Sequence, residues 1–169
     1  MESRALLSGV TAQALGHLSS AFVAPSPKPA HLTVIDATTK GTYTLVQSNP
    51  DTGKVYSFFQ AGTLKGVGAV TVTGSITTPG NIRFGRAHGT LTAHSVNGTL
   101  TLDVTGPAQR GGSALPTTLT FTVTHGTGAF SGVHGKGTIV VALHQTYGTP
   151  APRYTAGGTA TMAFHGAGA

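Results

Sequence analysis

The stretch whose reading decides the fold is His125 to His144, HGTGAFSGVHGKGTIVVALH. Five of its twenty residues are glycine, all before Thr138, and an uninterrupted apolar run, Ile139 to Leu143, follows. The pattern predicts a strand, a glycine turn, a short extended piece, a second glycine turn and then a buried strand. Gly128 and Gly132 are expected in backbone conformations that alanine resists. Ile139, Val141 and Leu143 are expected to bury one face of the closing strand.

Working outward, the whole chain carries the same signature. It has 169 residues, a length that suits one domain able to bury a core without staples. Threonine is the most frequent residue, 25 residues are glycine and only 8% are charged. Threonine and valine favour strands, and glycine favours turns and bulges. A slightly positive mean hydropathy places the chain among folded rather than disordered sequences. The absence of cysteine removes disulfides, thiol catalysis and cysteine metal sites together.

The net charge of +6 arises mainly from a shortage of acids, since four carboxylates face ten basic residues. Those basic residues are scattered from Arg4 to Arg153, with only Arg83 and Arg86 close together. Arg110-Gly111-Gly112 is a lone RGG. Nucleic-acid binding needs clustered positive charge, so this distribution argues against it.

Residues 1–30 differ from the rest and are read as a tail preceding a single β-domain over 31–166. Leu6, Leu7, Val10, Leu15 and Leu18 give the tail an apolar lean, and Pro25, Pro27 and Pro29 mark a linker. Three readings of the tail stand side by side. It suits a signal peptide with Ser19-Ser20-Ala21 as the cleavage site, although its central run is interrupted by Ser8, Thr11, Gln13 and His17. It suits a frayed amphipathic helix. Glu2-Ser3-Arg4-Ala5-Leu6-Leu7-Ser8 also resembles the E-x-R-x-L-L-S segment near the start of many large exported proteins of environmental bacteria, without the basic stretch that usually precedes it. Export, to the cell surface or beyond it, is the expected location. No stretch approaches the roughly 20 apolar residues of a membrane-spanning helix.

From His31 onward the chain alternates with a period of two. Leu119, Phe121 and Val123 alternate with threonines, as do Val70, Val72 and Ile76; Ala160, Met162 and Phe164 close the chain. Asn49 to Gly53 separates a strand over Tyr43–Ser48 from one over Val55–Phe59. Six Gly-Thr pairs are read as strand starts, glycine turning the corner and threonine beginning the pleat. Asn97-Gly98 is expected to form a two-residue type I′ hairpin turn. That register sets Val96 opposite Thr99, Ala93 opposite Leu102 and Leu91 opposite Val104. Leu91, Ala93, Leu100, Leu102 and Val104 then share one face. The longest irregular piece is expected at Gly106 to Pro116. About eight strands and no helix after residue 30 predict an all-β, antiparallel, eight-stranded closed barrel, a form without free edges.

Gly126-Thr127-Gly128-Ala129-Phe130, followed by Gly132, Gly135 and Gly137, resembles the G-G-T-G-x-F…G-x-G segment of dirigent proteins and the related allene oxide cyclase-like barrels. The resemblance covers about a dozen residues. It implies an eight-stranded antiparallel barrel with a central cavity that binds a small apolar ligand and guides its cyclisation or coupling. Where those proteins typically carry an Arg shortly after the motif phenylalanine, this chain has His134. No active-site residue carries over.

The chemistry legible in the residues is sparse. Glu2 lies in the tail and Asp51 in a turn, leaving Asp36 and Asp103 within or beside strands. The expected hairpin register puts His94 diagonal to Asp103, so Asp36, Asp103 and His94 are the candidates for acid–base work. A solvated cross-strand pair is the simpler reading, and no catalytic residue is assigned. Eight histidines show neither H-x-H nor H-E-x-x-H spacing. His88 and His94 sit roughly 20 Å apart along a strand, so no metal is assigned. Gly135-Lys136-Gly137-Thr138 lacks the strand–loop–helix context of a phosphate loop and is read as a turn; no cofactor is expected. With no Trp and no evident platform among Tyr43, Tyr56, Tyr147 and Tyr154, a sugar-binding face is not apparent.

These readings converge on a non-catalytic binding or structural barrel of an exported protein. Its expected partner is a small apolar ligand or a cell-surface component. The alternative is a cavity barrel guiding its ligand's chemistry, with Asp36, Asp103 and cavity-facing phenylalanines as the first suspects.

Overall fold

In a computed structural model, described here for residues 32–80, 85–108, 115–145 and 157–168, eight strands form one closed barrel. They are β1 (Val34–Asn49), β2 (Gly53–Leu64), β3 (Gly68–Thr78), β4 (Arg86–Ser95), β5 (Gly98–Ala108), β6 (Thr118–Gly126), β7 (Gly135–Gln145) and β8 (Gly157–Gly168). Each pairs antiparallel with its neighbours in sequence, and β8 closes onto β1 from Val34↔Ala167 to Thr44↔Gly157. The tail, the Pro25–Pro29 linker, the Arg110 RGG, Arg83, Tyr147 and Tyr154 lie outside the described residues.

Alternation sorts the side chains as expected. Val70, Val72, Ile76, Leu119, Phe121, Val123, Ile139, Val141, Ala160, Met162 and Phe164 all face inward and are buried. Leu143 is half-buried, at one end of the barrel. Apart from the buried Thr39 and Thr78, the strand threonines lie mostly on the outer face and bond across strands, as in Thr105 Oγ1 to Thr120 Oγ1 at 2.9 Å. An apolar interior under a threonine-rich exterior is the reverse of the facing of a barrel that sits in lipid.

The Asn49–Gly53 turn forms as expected, with Asn49 Oδ1 accepting from the backbone N–H of Asp51 at 2.7 Å and of Thr52 at 3.3 Å. The strands beside it are longer than expected. Of the six Gly-Thr pairs, those at Gly98 and Gly158 open strands, whereas Gly41 and Gly89 lie inside β1 and β4. Both face the interior, where a side chain would run into the neighbouring strand's carbonyl: a Cβ would lie 2.1 Å from Phe59 O or Ser75 O. They are bends that curl a long strand into a small barrel. Gly135–Thr138, read above as a turn, is already strand β7.

The β4–β5 hairpin has the expected faces but a different pairing. Ser95 pairs with Gly98, Ala93 with Leu100 and Leu91 with Leu102, so the turn residues are Val96 and Asn97. A type I′ turn needs positive φ at both central residues, and among the described residues none other than glycine has positive φ. The reason is tertiary. The segment after β6 docks on this hairpin: Thr127 N donates to Thr99 O at 2.9 Å, and Ala129 N to Asn97 O at 2.8 Å. A Cβ on Gly98 would lie 2.1 Å from Thr127 O. Gly98 is therefore committed to this close approach rather than to the turn.

That docked segment is the glycine stretch itself. Gly128–Phe130 forms a single 3-10 turn, and Gly128 and Gly132 have φ of +61° and +80°, as expected. Thr124 is an extra residue in β6, because Leu102 pairs with Val123 while Thr101 pairs with His125. The bulge interrupts the alternation, and Thr124 and His125 are both exposed. Ala129, Phe130 and Val133 are buried and, with Leu32, cover this end of the barrel.

Candidate functional site

The two ends of the barrel differ. At the covered end the gap among Ile35, Leu64, Val70, Leu100 and Phe164 measures about 20 Å³, room for one water at most, and its walls are apolar. At mid-height the interior is filled by side chains, including the fully buried Ile76, Leu91, Val104 and Met162. Gln60 is also fully buried there; its Nε2 donates to Thr42 O at 3.2 Å, and its Oε1 has no hydrogen-bond partner among the described residues. Space remains at the opposite end, as a half-open recess of about 310 Å³.

That recess is built by inward positions at the ends of strands: Tyr43 and Leu45 of β1, Lys54 and Tyr56 of β2, and Leu143 and Gln145 of β7, with Leu115 before β6. The β1–β2 pairing sets Leu45 opposite Tyr56 across a bulge that skips Val46. Tyr43 packs between Tyr56 and Phe58, with ring centroids 6.2 and 6.3 Å apart. The two tyrosines are buried, and below them the barrel is closed by packing. Burial pushes the Tyr56 hydroxyl above the usual phenol value, and the neighbouring Tyr43 adds to the shift. Lys54 sits two residues before Tyr56 on the same inward face, where its stem can lie along apolar wall while the ammonium reaches water. No carboxylate is among the residues lining the recess.

The acid–base candidates lie elsewhere. Asp36 is on the outer face of β1, directly opposite His165 of β8, with Oδ1 and Nδ1 3.3 Å apart. Their side chains are 38% and 63% exposed, so this is a solvated surface pair of modest strength. Asp103 is exposed on β5 and accepts from Thr90 Oγ1 at 3.4 Å. His94 is exposed on β4 and meets Thr73 Oγ1 at 3.3 Å. Because Asp103 pairs with Thr90, four residues from His94, the two stand roughly 13 Å apart along the strand. The two-residue difference in hairpin pairing separates them. Neither aspartate enters the recess. Among the described residues no three histidine or acidic side chains converge as a metal site would require.

None of the recess residues stood out in the sequence as a site. The available signal was local: Tyr43 and Leu45, Lys54 and Tyr56 flank one turn with matching parity. The contributions of Leu115, Leu143 and Gln145 come from strands distant in sequence. The chain matches no protein-family model, no curated protein and no solved structure. Its identity therefore rests on its fold, a closed eight-stranded antiparallel barrel.

Proposed function

We propose that this protein is a non-catalytic binding barrel, exported to the cell surface or beyond, whose open-end recess takes a small, largely apolar ligand. The observation that carries the reading is the recess itself. Among the described residues the roomiest recess is floored by two tyrosines and walled by Leu45, Leu115 and Leu143. Its volume lies at the small end of the range for ligand sites, and its mix of aromatic walls with a few polar groups is typical of them. The non-catalytic part of the reading is supported by the outward placement of Asp36, Asp103 and His94. A general acid or base must reach the reacting group, and these three are on the wrong side of the wall. A barrel that guides cyclisation or coupling would have to rely on Tyr43, Tyr56 and Lys54 instead.

The test is a fragment titration followed by NMR on the intact chain. Single-ring compounds are expected to shift the signals of Tyr43, Tyr56, Leu115 and Leu143 together, and Leu143→Trp, which fills the recess, is expected to abolish the shifts. Fragments that bind with equal affinity to wild type and Leu143→Trp would overturn the assignment.

A further inference from the structure

Resting on that reading of the recess, we infer that its ligand is a small aromatic monocarboxylate, held by its ring against Tyr43 and Tyr56 and by its anion at Lys54.

Three observations support this. The first is size: about 310 Å³ is the lower limit of ligand sites and suits a single ring rather than a fused system or a long chain. The second is wall chemistry. Tyr43 and Tyr56 present tilted aromatic faces, and aromatic pairs favour such offset or edge arrangements over face-to-face stacking. A third ring, from the ligand, can join them at the open side. The third is charge. Lys54 is the cation among the lining residues, and no acid accompanies it there. Among the described residues the ion pair present is Asp36–His165, on the outer wall, so Lys54 has no carboxylate partner there. An ammonium donates only, and a carboxylate is the acceptor that satisfies it with charge-assisted bonds. The charge also lies at the mouth, where a ligand entering ring first would leave its carboxylate.

The balance of charge over the whole chain favours the same choice. A net +6 with four acids makes the approach of an anion favourable at long range. A cationic ligand would meet that field and Lys54 with nothing in the recess to offset either.

The experiment compares benzoate with benzamide, its neutral counterpart of nearly equal shape, on the intact chain and on Lys54→Gln. Lys40→Gln, which removes an exposed lysine outside the recess, is the charge control. Because the chain has no Trp, tyrosine fluorescence and the NMR signals of Tyr43 and Tyr56 report occupancy. Benzoate is expected to bind at least tenfold more tightly than benzamide. That preference is expected to disappear in Lys54→Gln, persist in Lys40→Gln and weaken as salt is raised. Equal binding of the two probes, with shifts at Tyr43 and Tyr56, would leave the recess as the site and overturn the carboxylate. A preference that survives in Lys54→Gln would overturn it too. If neither probe moves those tyrosines, both this inference and the reading beneath it fail. The thermal midpoint of Lys54→Gln, compared with that of wild type, shows whether the variant is folded.

Discussion

Replacing Gln60 with methionine should stabilise the barrel. Gln60 is fully buried, and only one half of its amide is satisfied: Nε2 donates to Thr42 O, while Oε1 has no partner among the described residues. A buried acceptor left without a bond costs about 1–3 kcal/mol, and a typical hydrogen bond returns about 0.5–1.5 kcal/mol. Methionine matches the length of glutamine, is flexible enough to fill the same space and carries no group needing a partner. Gln60→Met therefore removes the larger cost and the smaller gain together, a net stabilisation of about 1 kcal/mol. For a chain of 169 residues that is about 3 °C in the thermal midpoint. Urea unfolding followed by far-UV circular dichroism measures it directly, with an unchanged denaturant slope as the sign that the unfolded state is not altered. A loss of 1 kcal/mol or more would refute the reasoning. It would mean that Oε1 is held inside the barrel, most simply by a buried water whose bonds methionine cannot replace.

Two further predictions concern other parts of the molecule. Gly128→Ala should cost clearly more than Gly132→Ala in urea unfolding: both glycines have positive φ, but a Cβ at 128 would also lie 2.3 Å from Asn97 O, whereas at 132 nothing lies within 4 Å. The conformational cost common to both is about 1–2 kcal/mol, and equal losses would show that docking of the glycine stretch on the hairpin is not tight. Tyr56 should make the barrel sensitive to alkali. Its hydroxyl is raised above the ordinary phenol value of 10.0 by burial and then by Tyr43, so the folded state holds the proton longer than the unfolded chain does. The stabilisation is present below pH 10 and is lost as pH rises from there through the folded value. Stability measured across that window should fall less steeply in Tyr56→Phe, and identical slopes would remove Tyr56 as the cause.

Much of the fold is written in the sequence because a strand's side chains alternate strictly. Leu119, Phe121 and Val123, or Ala160, Met162 and Phe164, have one arrangement that puts them out of water, and neighbouring threonines are then outside. The same rule explains where the hairpin reading departs from the structure. Alternation fixes pairing only up to a shift of two residues, so Leu91, Ala93, Leu100, Leu102 and Val104 share a face in either register. Which pairing forms is settled by Gly98 meeting Thr127, a contact that no local pattern encodes. Gly41 and Gly89 look like strand starts for a similar reason. A bend within a long strand and a turn before a short one call for the same residue.

The site was less legible. Asp36, Asp103 and His94 drew notice because acids are rare in this chain and histidine is versatile, but rarity says nothing about which side of a wall a residue faces. The recess is assembled where β1, β2 and β7 end and Leu115 precedes β6. Its tyrosines and lysine are unremarkable one at a time. By itself the sequence determined an all-β chain whose apolar residues line the inside of a barrel, through the energetic cost of exposing them. Only the tertiary structure decided that the His125–His144 stretch folds back to cover one end. Its first half, Gly126 to Val133, makes the docked turn, and its second half, Ile139 to Leu143, makes a wall that reaches the opposite recess. The physical reason is closure: eight strands pack their apolar side chains inside, the docked turn covers one end, and the described recess lies at the other.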